Sequence, residues 1–133
     1  MRTPDQILAE TSAIALVGAS PKPWRPSNQV MRYLLDAGYR VIPVRPGDCD
    51  EVLGVPCVSS LAEIPEQIDL VDVFRRPEFT ADVARDAVAV GARALWLQSG
   101  IVSAEARAIA EAAGIDYVED ACTKVVHRLH VAA

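Results

Sequence analysis

Lys22, Arg25, Arg45, Arg75 and Arg76 are five of the thirteen basic residues in the chain, and all five lie in short segments rich in Pro, Gly and Ser. Each segment directly follows an apolar run: Gly18-Ala-Ser-Pro-Lys-Pro-Trp-Arg-Pro-Ser27, Arg45-Pro-Gly47 and Arg75-Arg-Pro77, with a fourth and uncharged one at Ser99-Gly-Ile101. Cations in loops that lead into helices suit an anion, because the first turn of a helix offers unpaired backbone N–H groups and the positive pole of its dipole. A charge-assisted hydrogen bond of that kind contributes on the order of 1.5–3 kcal/mol, so two or three hold a polyphosphate. Arg and Lys also populate ordinary surface loops, and Ser20 and Ser27 could simply satisfy backbone donors in a capped turn. Against that stands the placement of all five cations at one expected end of the fold.

Several chemistries are excluded by what these loops lack. There is no G-x-G-x-x-G and no G-x-x-x-x-G-K-[ST], so neither a dinucleotide fingerprint nor a P-loop is present. The second apolar run ends in Arg45, where an NAD site would carry an acidic residue for the ribose. The acid pair of a phospho-receiver domain is missing after Val17. Cys122, His127 and His130 match no common zinc spacing. Cys122 with His127 makes only a loose nucleophile pair, and a buried, inert thiol is the simpler reading. Asp72 interrupts an apolar run and either satisfies a loop or faces the site. Trp24 is expected to be exposed and Trp96 to be core. No convincing general base, nucleophile or oxyanion device emerges.

The elements that must position these loops alternate regularly. Apolar runs at Ile14–Val17, Tyr39–Val44, Asp69–Phe74, Ala94–Gln98 and Asp116–Val118 read as strands buried on both faces. Pro43 cannot donate to a ladder and belongs near a strand end. Between the strands lie helical patterns. Val30, Tyr33, Leu34 and Ala37 share one face of a helix capped near Ser27; Phe79, Val83, Ala87 and Val90 share one within Pro77–Val90; Val102, Ala106, Ile109 and Ala113 share one capped by Ser103. Gly38, Gly91 and Gly114 stop the three helices. Thr3-Pro-Asp-Gln6 reads as a capping box for an N-terminal helix, and a short helical tail is expected through Leu129. Residues 45–59 read as a turn-rich connection and Ser60–Ile64 as one helical turn. This alternation implies crossovers between parallel strands, with helices on both faces of the sheet. In such a sheet ligands bind beyond the carboxyl ends of the strands, which is where the five cations fall.

The composition is consistent with this layout. The chain has 133 residues, 51% hydrophobic and 23% charged, enough for one domain with one core. A formal net charge of −5 disfavours general nucleic-acid binding. Yet residues 1–45 hold six basic and three acidic side chains while the remainder holds seven and fifteen, so a local cationic site is compatible with an acidic protein. Three cysteines with no C-x-x-C pair argue against a disulfide framework and for a reducing cytoplasm. No apolar run is long enough to span a membrane, and no signal peptide is recognisable.

The segments GASPKPWRPS, GYRVIPVRP, DLVDVFRRP and ALWLQSGIV, in this order and spacing, resemble the small stand-alone coenzyme A-binding proteins, which are similar to the N-terminal domain of the succinyl-CoA synthetase alpha chain. The likeness covers residues about 10–129. It implies a single Rossmann-like, doubly wound α/β domain over 1–133, with an N-terminal helix in 1–12, a core in 13–129 and a mainly parallel five-stranded sheet. It also implies coenzyme A or an acyl-CoA above the strands. By position, Gly18, Ala19, Ser20, Lys22 and Arg25 would surround the phosphates. Pro43, Val44, Arg45 and Pro46 would flank adenine and ribose. Phe74, Arg75, Arg76 and Pro77 would line the nucleotide or pantetheine, and Gln98, Ser99, Gly100 and Ile101 would close the thiol-proximal side. The family usually carries Asn where Arg45 stands. The phosphohistidine domain of the synthetases is not recognisable in this sequence. The expectation is therefore a non-catalytic binding module for a small nucleotide, without nucleic acid or membrane as partner; a protein partner or homo-oligomer is left open. The competing readings are an NADP-linked oxidoreductase, with Arg45 on the 2′-phosphate, and one subunit of an acyl-CoA ligase.

Overall fold

The computed structural model describes residues 1–132. The five expected strands form β1 (Ala13–Val17), β2 (Arg40–Val44), β5 (Leu70–Val73), β6 (Ala94–Leu97) and β7 (Asp116–Val118). They make one sheet in the order β2-β1-β5-β6-β7, and every pairing is parallel. The chain steps from β1 outward to β2, then returns past β1 to β5. The order therefore reverses between β1 and β5, and a crevice opens above their carboxyl ends.

Strand residues alternate between two cores. Ile14, Leu16, Val41, Leu70, Ala94 and Trp96 face one side. There they pack against α1 (Pro4–Ala9), α2 (Pro26–Asp36) and the C-terminal α5 (Thr123–Val126), which widens into a π-helical turn at His127–Val131. Ala15, Val17, Val71, Val73, Leu95 and Leu97 face the other, under α3 (Pro77–Ala89) and α4 (Ala104–Ala113). Strands buried on both faces need apolar residues at every position, which is why they read as continuous runs. Gly38, Gly91 and Gly114 all have positive φ at the helix ends. Thr3 and Gln6 form the reciprocal capping box of α1, and Ser103 Oγ accepts from the amide of Ala106 at α4. Trp96 is wholly buried, its indole donating to the carbonyl of Ala121 at 2.8 Å.

Several expectations are corrected. Ser27 does not cap α2; the helix starts one residue earlier, with Arg25 at the N-cap position and Pro26 in the first turn. Phe79, in the first turn of α3, and Val102, which precedes the N-cap of α4, are 40% and 51% exposed. Residues 45–59 are not merely turns. They contain a small antiparallel hairpin, β3 (Glu51–Val52) and β4 (Val55–Pro56), followed by Val58, which bridges β2 at Val44. Arg45 donates its amide to Val58 and Val58 donates to the carbonyl of Pro43. The nitrogen of Pro43 therefore points to this outer edge, and β2 loses no bond to β1. A 3₁₀ turn, Leu61–Glu63, completes the segment. Among the described residues no helix is long and apolar enough to cross a membrane.

Cys49 and Cys57 are joined across this hairpin, and Cys122 is free. The odd count hid the pair, since only the hairpin brings together two thiols eight residues apart. Non-reducing peptide mapping should recover Cys49 and Cys57 as one linked peptide with Cys122 alkylatable. Reduction should lower stability by no more than about 2–3 kcal/mol, the loop-closure scale for so short a loop.

Candidate functional site

The loops after β1, β2, β5 and β6 enclose a cavity of about 630 Å³ at the carboxyl edge of the sheet. Its geometry begins at Gly18. This residue has φ +90°, and a Cβ there would lie 2.5 Å from the carbonyl oxygen of Phe74 and 2.9 Å from its carbonyl carbon. Only glycine lets the β1 loop rest against the end of β5 at the point where the strand order reverses. The loop is then pinned from within. Ser20 Oγ accepts from the amide of Lys22, the Ser20 carbonyl accepts from the Asn28 side chain at 2.9 Å, and Arg45 donates to the carbonyl of Ala19 at 3.3 Å.

All five loop cations line this cavity. Lys22, Arg25, Arg45 and Arg75 have no carboxylate within salt-bridge distance among the described residues; Arg76 reaches Glu78 at 3.8 Å, both side chains exposed. Away from the cavity, Arg2, Arg40, Arg85, Arg93 and Arg107 are paired with acids, whereas among the described residues Arg32, Lys124 and Arg128 have no such partner. Arg75 instead covers the ring of Phe79 at 4.6 Å, and Lys22 lies 5.9 Å from the ring of Trp24.

Two helix starts add to this positive potential. α2 begins Arg25-Pro26 and α3 begins Arg76-Pro77, with the arginine at the N-cap position in both and no side-chain cap in either. A cation at the positive pole of a helix is unfavourable by a few tenths to about 1 kcal/mol. The amides of Ser27 and Glu78, each in the first turn after the proline, make no intramolecular hydrogen bond. By contrast the amides of Gly18 and Ala19 both turn back to the carbonyl of Val44. Among the described residues, free donors therefore sit at the helix starts and at Ser20 of the β1 loop, whose amide likewise has no partner.

Of the residues named from sequence, Gly18, Ala19, Ser20, Lys22 and Arg25 line the cavity from the β1 loop, and Phe74, Arg75, Arg76 and Pro77 from the β5 loop. Arg45 lines it from β2, and Gln98, Ser99 and Ile101 from β6. Four do not. Pro43 is buried in β2 opposite Leu16. Val44 and Pro46 border a separate cleft of about 170 Å³ against Phe79 and Val83 of α3, to which Arg75 also belongs. Gly100 donates its amide to Asp120 at 2.7 Å and braces its loop instead. Four further residues line the cavity that the sequence reading did not name as site residues: Pro26, Ser27, Val30 and Cys122. Cys122 gave no spacing signal, because it arrives from the far end of the chain. His127 is engaged elsewhere: its Nδ1 lies 2.8 Å from the Tyr33 hydroxyl and its ring meets Tyr33 and Tyr39 edge-on.

Asp72 is completely buried in β5. Its Oδ1 accepts from Gln98 Nε2 at 2.5 Å and its Oδ2 from Thr123 Oγ1 at 3.0 Å, while Gln98 Nε2 also donates to Thr123 Oγ1 at 2.9 Å. Burial pushes the Asp72 carboxyl up to about 7, against the two hydrogen bonds that lower it.

Two outcomes follow from this geometry. Gly18→Ala should destabilise the fold by at least about 2 kcal/mol in chemical denaturation, through positive φ and the clash with Phe74. Between pH 4 and 7 the folded chain keeps the Asp72 proton that the unfolded chain has released, so this group makes stability fall as pH rises through that window. Denaturation of the wild type relative to Asp72→Asn should show that decline, with no further change from this residue above pH 8.

Comparison with known proteins agrees with the geometry. The family profile described as "CoA binding domain" matches residues 12–128. An uncharacterized protein, YneT, of Bacillus subtilis is 43% identical over 122 residues, 92% of this chain and 90% of that one. The structure of a hypothetical protein from Pyrococcus horikoshii superposes with a TM-score of 0.93 at 40% identity, covering 98% of this chain and 94% of that one. An ADP-forming acetate–CoA ligase of Archaeoglobus fulgidus is 39% identical over 57 residues, which are 43% of this chain and 8% of the ligase. A Rossmann-like sheet, a cation-lined crevice at its order reversal and a profile match over nearly the whole chain lead to one conclusion: this chain belongs to the CoA-binding domain family.

Proposed function

We propose that the chain binds coenzyme A or an acyl-CoA in this crevice and acts as a binding module without catalytic machinery of its own. The observation that carries the reading is the pair of uncapped Arg-Pro helix starts at Arg25-Pro26 and Arg76-Pro77, facing one cavity with unneutralised cations around them. A diphosphate between the two starts would accept from the free amides of Ser27 and Glu78 and neutralise Arg25 and Arg76. The 3′-phosphate needs a further separated cation, and Arg45 or Lys22 supplies one. The cleft bordered by Val44, Pro46 and Phe79 is apolar enough for adenine. The pantetheine arm then runs across the sheet edge past Phe74 and Ile101 to Gln98.

In this reading the site residues named from sequence divide. The β1 and β5 loops hold phosphates, and the β6 loop holds the arm. The ligand is a small nucleotide available in the cytoplasm, where we place the protein, and neither a nucleic acid nor a membrane is needed. The stretch shared with an acetate–CoA ligase supports a second reading, in which the module serves a partner chain that performs acyl transfer.

Coenzyme A should raise the melting temperature of the pure protein more than NAD or NADP at equal concentration. Arg25→Ala with Arg76→Ala should abolish most of that shift. Equal shifts from all three nucleotides would defeat the assignment.

A further inference from the structure

With Asp72 ionised, as it is above about pH 7, the ring formed by Asp72, Gln98 and Thr123 has only one consistent direction. Thr123 has a single hydroxyl proton, and it goes to Asp72 Oδ2. Thr123 Oγ1 can then only accept, and its donor is Gln98 Nε2. The second proton on that nitrogen goes to Asp72 Oδ1. Both N–H groups of Gln98 are thereby used, and the amide cannot turn over without placing its oxygen against a carboxylate. Gln98 is 4% exposed, lines the cavity, and its Oε1 accepts nothing from the protein, although it is not sealed from the cavity. A nearly buried acceptor without a partner costs free energy until a donor reaches it. It stands two strands away from the β1 loop, roughly 10 Å across the sheet, where the arm of a bound nucleotide would pass.

We propose that Asp72, beyond the reach of any ligand, acts with Thr123 as a positioning pair that locks the Gln98 amide, so that the cavity offers a hydrogen-bond acceptor there and selects ligands whose arm carries an N–H or S–H donor. The inference rests on coenzyme A binding in the crevice and adds what recognises its arm. Asp72→Asn would bring a new N–H₂ group that can donate to Thr123 Oγ1 or to Gln98 Oε1, so the ring is no longer held to one direction. The amide is then free to turn, and the cavity loses its fixed acceptor. Thr123→Val keeps the shape and removes the hydroxyl that fixes the ring, whereas Thr123→Ser keeps the hydroxyl.

The test is calorimetric titration of the full chain at about pH 8, where Asp72 is ionised, with coenzyme A, S-methyl-coenzyme A and adenosine 3′-phosphate 5′-diphosphate, which has no arm. Asp72→Asn, Thr123→Val and Gln98→Met should each weaken coenzyme A by about tenfold. They should leave the armless nucleotide within about twofold, and Thr123→Ser should behave as the wild type. A loss shared by S-methyl-coenzyme A assigns the donor to an amide of the arm, and a loss confined to the thiol form assigns it to S–H. Either pattern supports the proposal. Variants that lose both nucleotides equally, or retain the full preference for coenzyme A, overturn it while leaving the binding reading intact. A wild type that binds neither nucleotide overturns both.

Discussion

An excess of positive potential at one edge of the sheet is the condition around which the rest of the molecule is arranged. Two helices start there with arginine in the position that usually carries Ser, Thr, Asp or Asn, and proline follows each. Proline at the first helical position is well placed by its fixed φ and has no N–H to satisfy. The arginine is not well placed by any local rule. α1 and α4, whose starts do not line the cavity, carry conventional caps at Thr3 and Ser103. The same chain thus caps two α-helices and leaves three uncapped, α2, α3 and the short α5, whose N-cap residues Arg25, Arg76 and Cys122 all line the cavity. Local stability is given up where an anion restores it.

Topology concentrates that potential. β1 and β5 are neighbours in the sheet but far apart in the chain, and the helices that follow them pack on opposite faces. Their starts therefore flank the crevice rather than lie side by side. Gly18 permits the contact on which this depends, since any side chain would meet the backbone of Phe74. Hydrogen bonds inside the β1 loop, from the Lys22 amide to Ser20 Oγ and from the Asn28 side chain to the Ser20 carbonyl, hold the cationic segment in shape without using the helix-start amides. The carboxylates that give the chain its net negative charge neutralise arginines elsewhere.

The polar floor of the cavity obeys a different constraint. A carboxyl in the middle of a central strand is expensive to bury. It is tolerated here because Gln98 and Thr123 satisfy both oxygens and because the group can hold its proton near neutral pH. Asp72 itself does not line the cavity, whereas Gln98, to which it is hydrogen-bonded, does.

Sheet, helices and glycine stops were legible because each depends on near neighbours: an apolar run of four or five residues, a 3.6-residue repeat, a glycine with positive φ. The five cations could be placed at one end for the same reason, since every parallel crossover returns its loop to the same edge. Features made by distant segments were not legible. The hairpin at 51–56 is too short to show a period, and Cys49 meets Cys57 only through it. Phe79 and Val102 fit an apolar face by spacing but are exposed. Asp72, ambiguous as a lone acid in a strand, acquires its role from Gln98, 26 residues away, and Thr123, 51 residues away. Sequence alone determined the parallel α/β layout and the edge at which the loop cations gather, because local pattern and crossover geometry suffice for both. Tertiary structure decided which amides are free, which cations share one cavity and which way Gln98 faces, because those follow from contacts between residues that no sequence spacing relates.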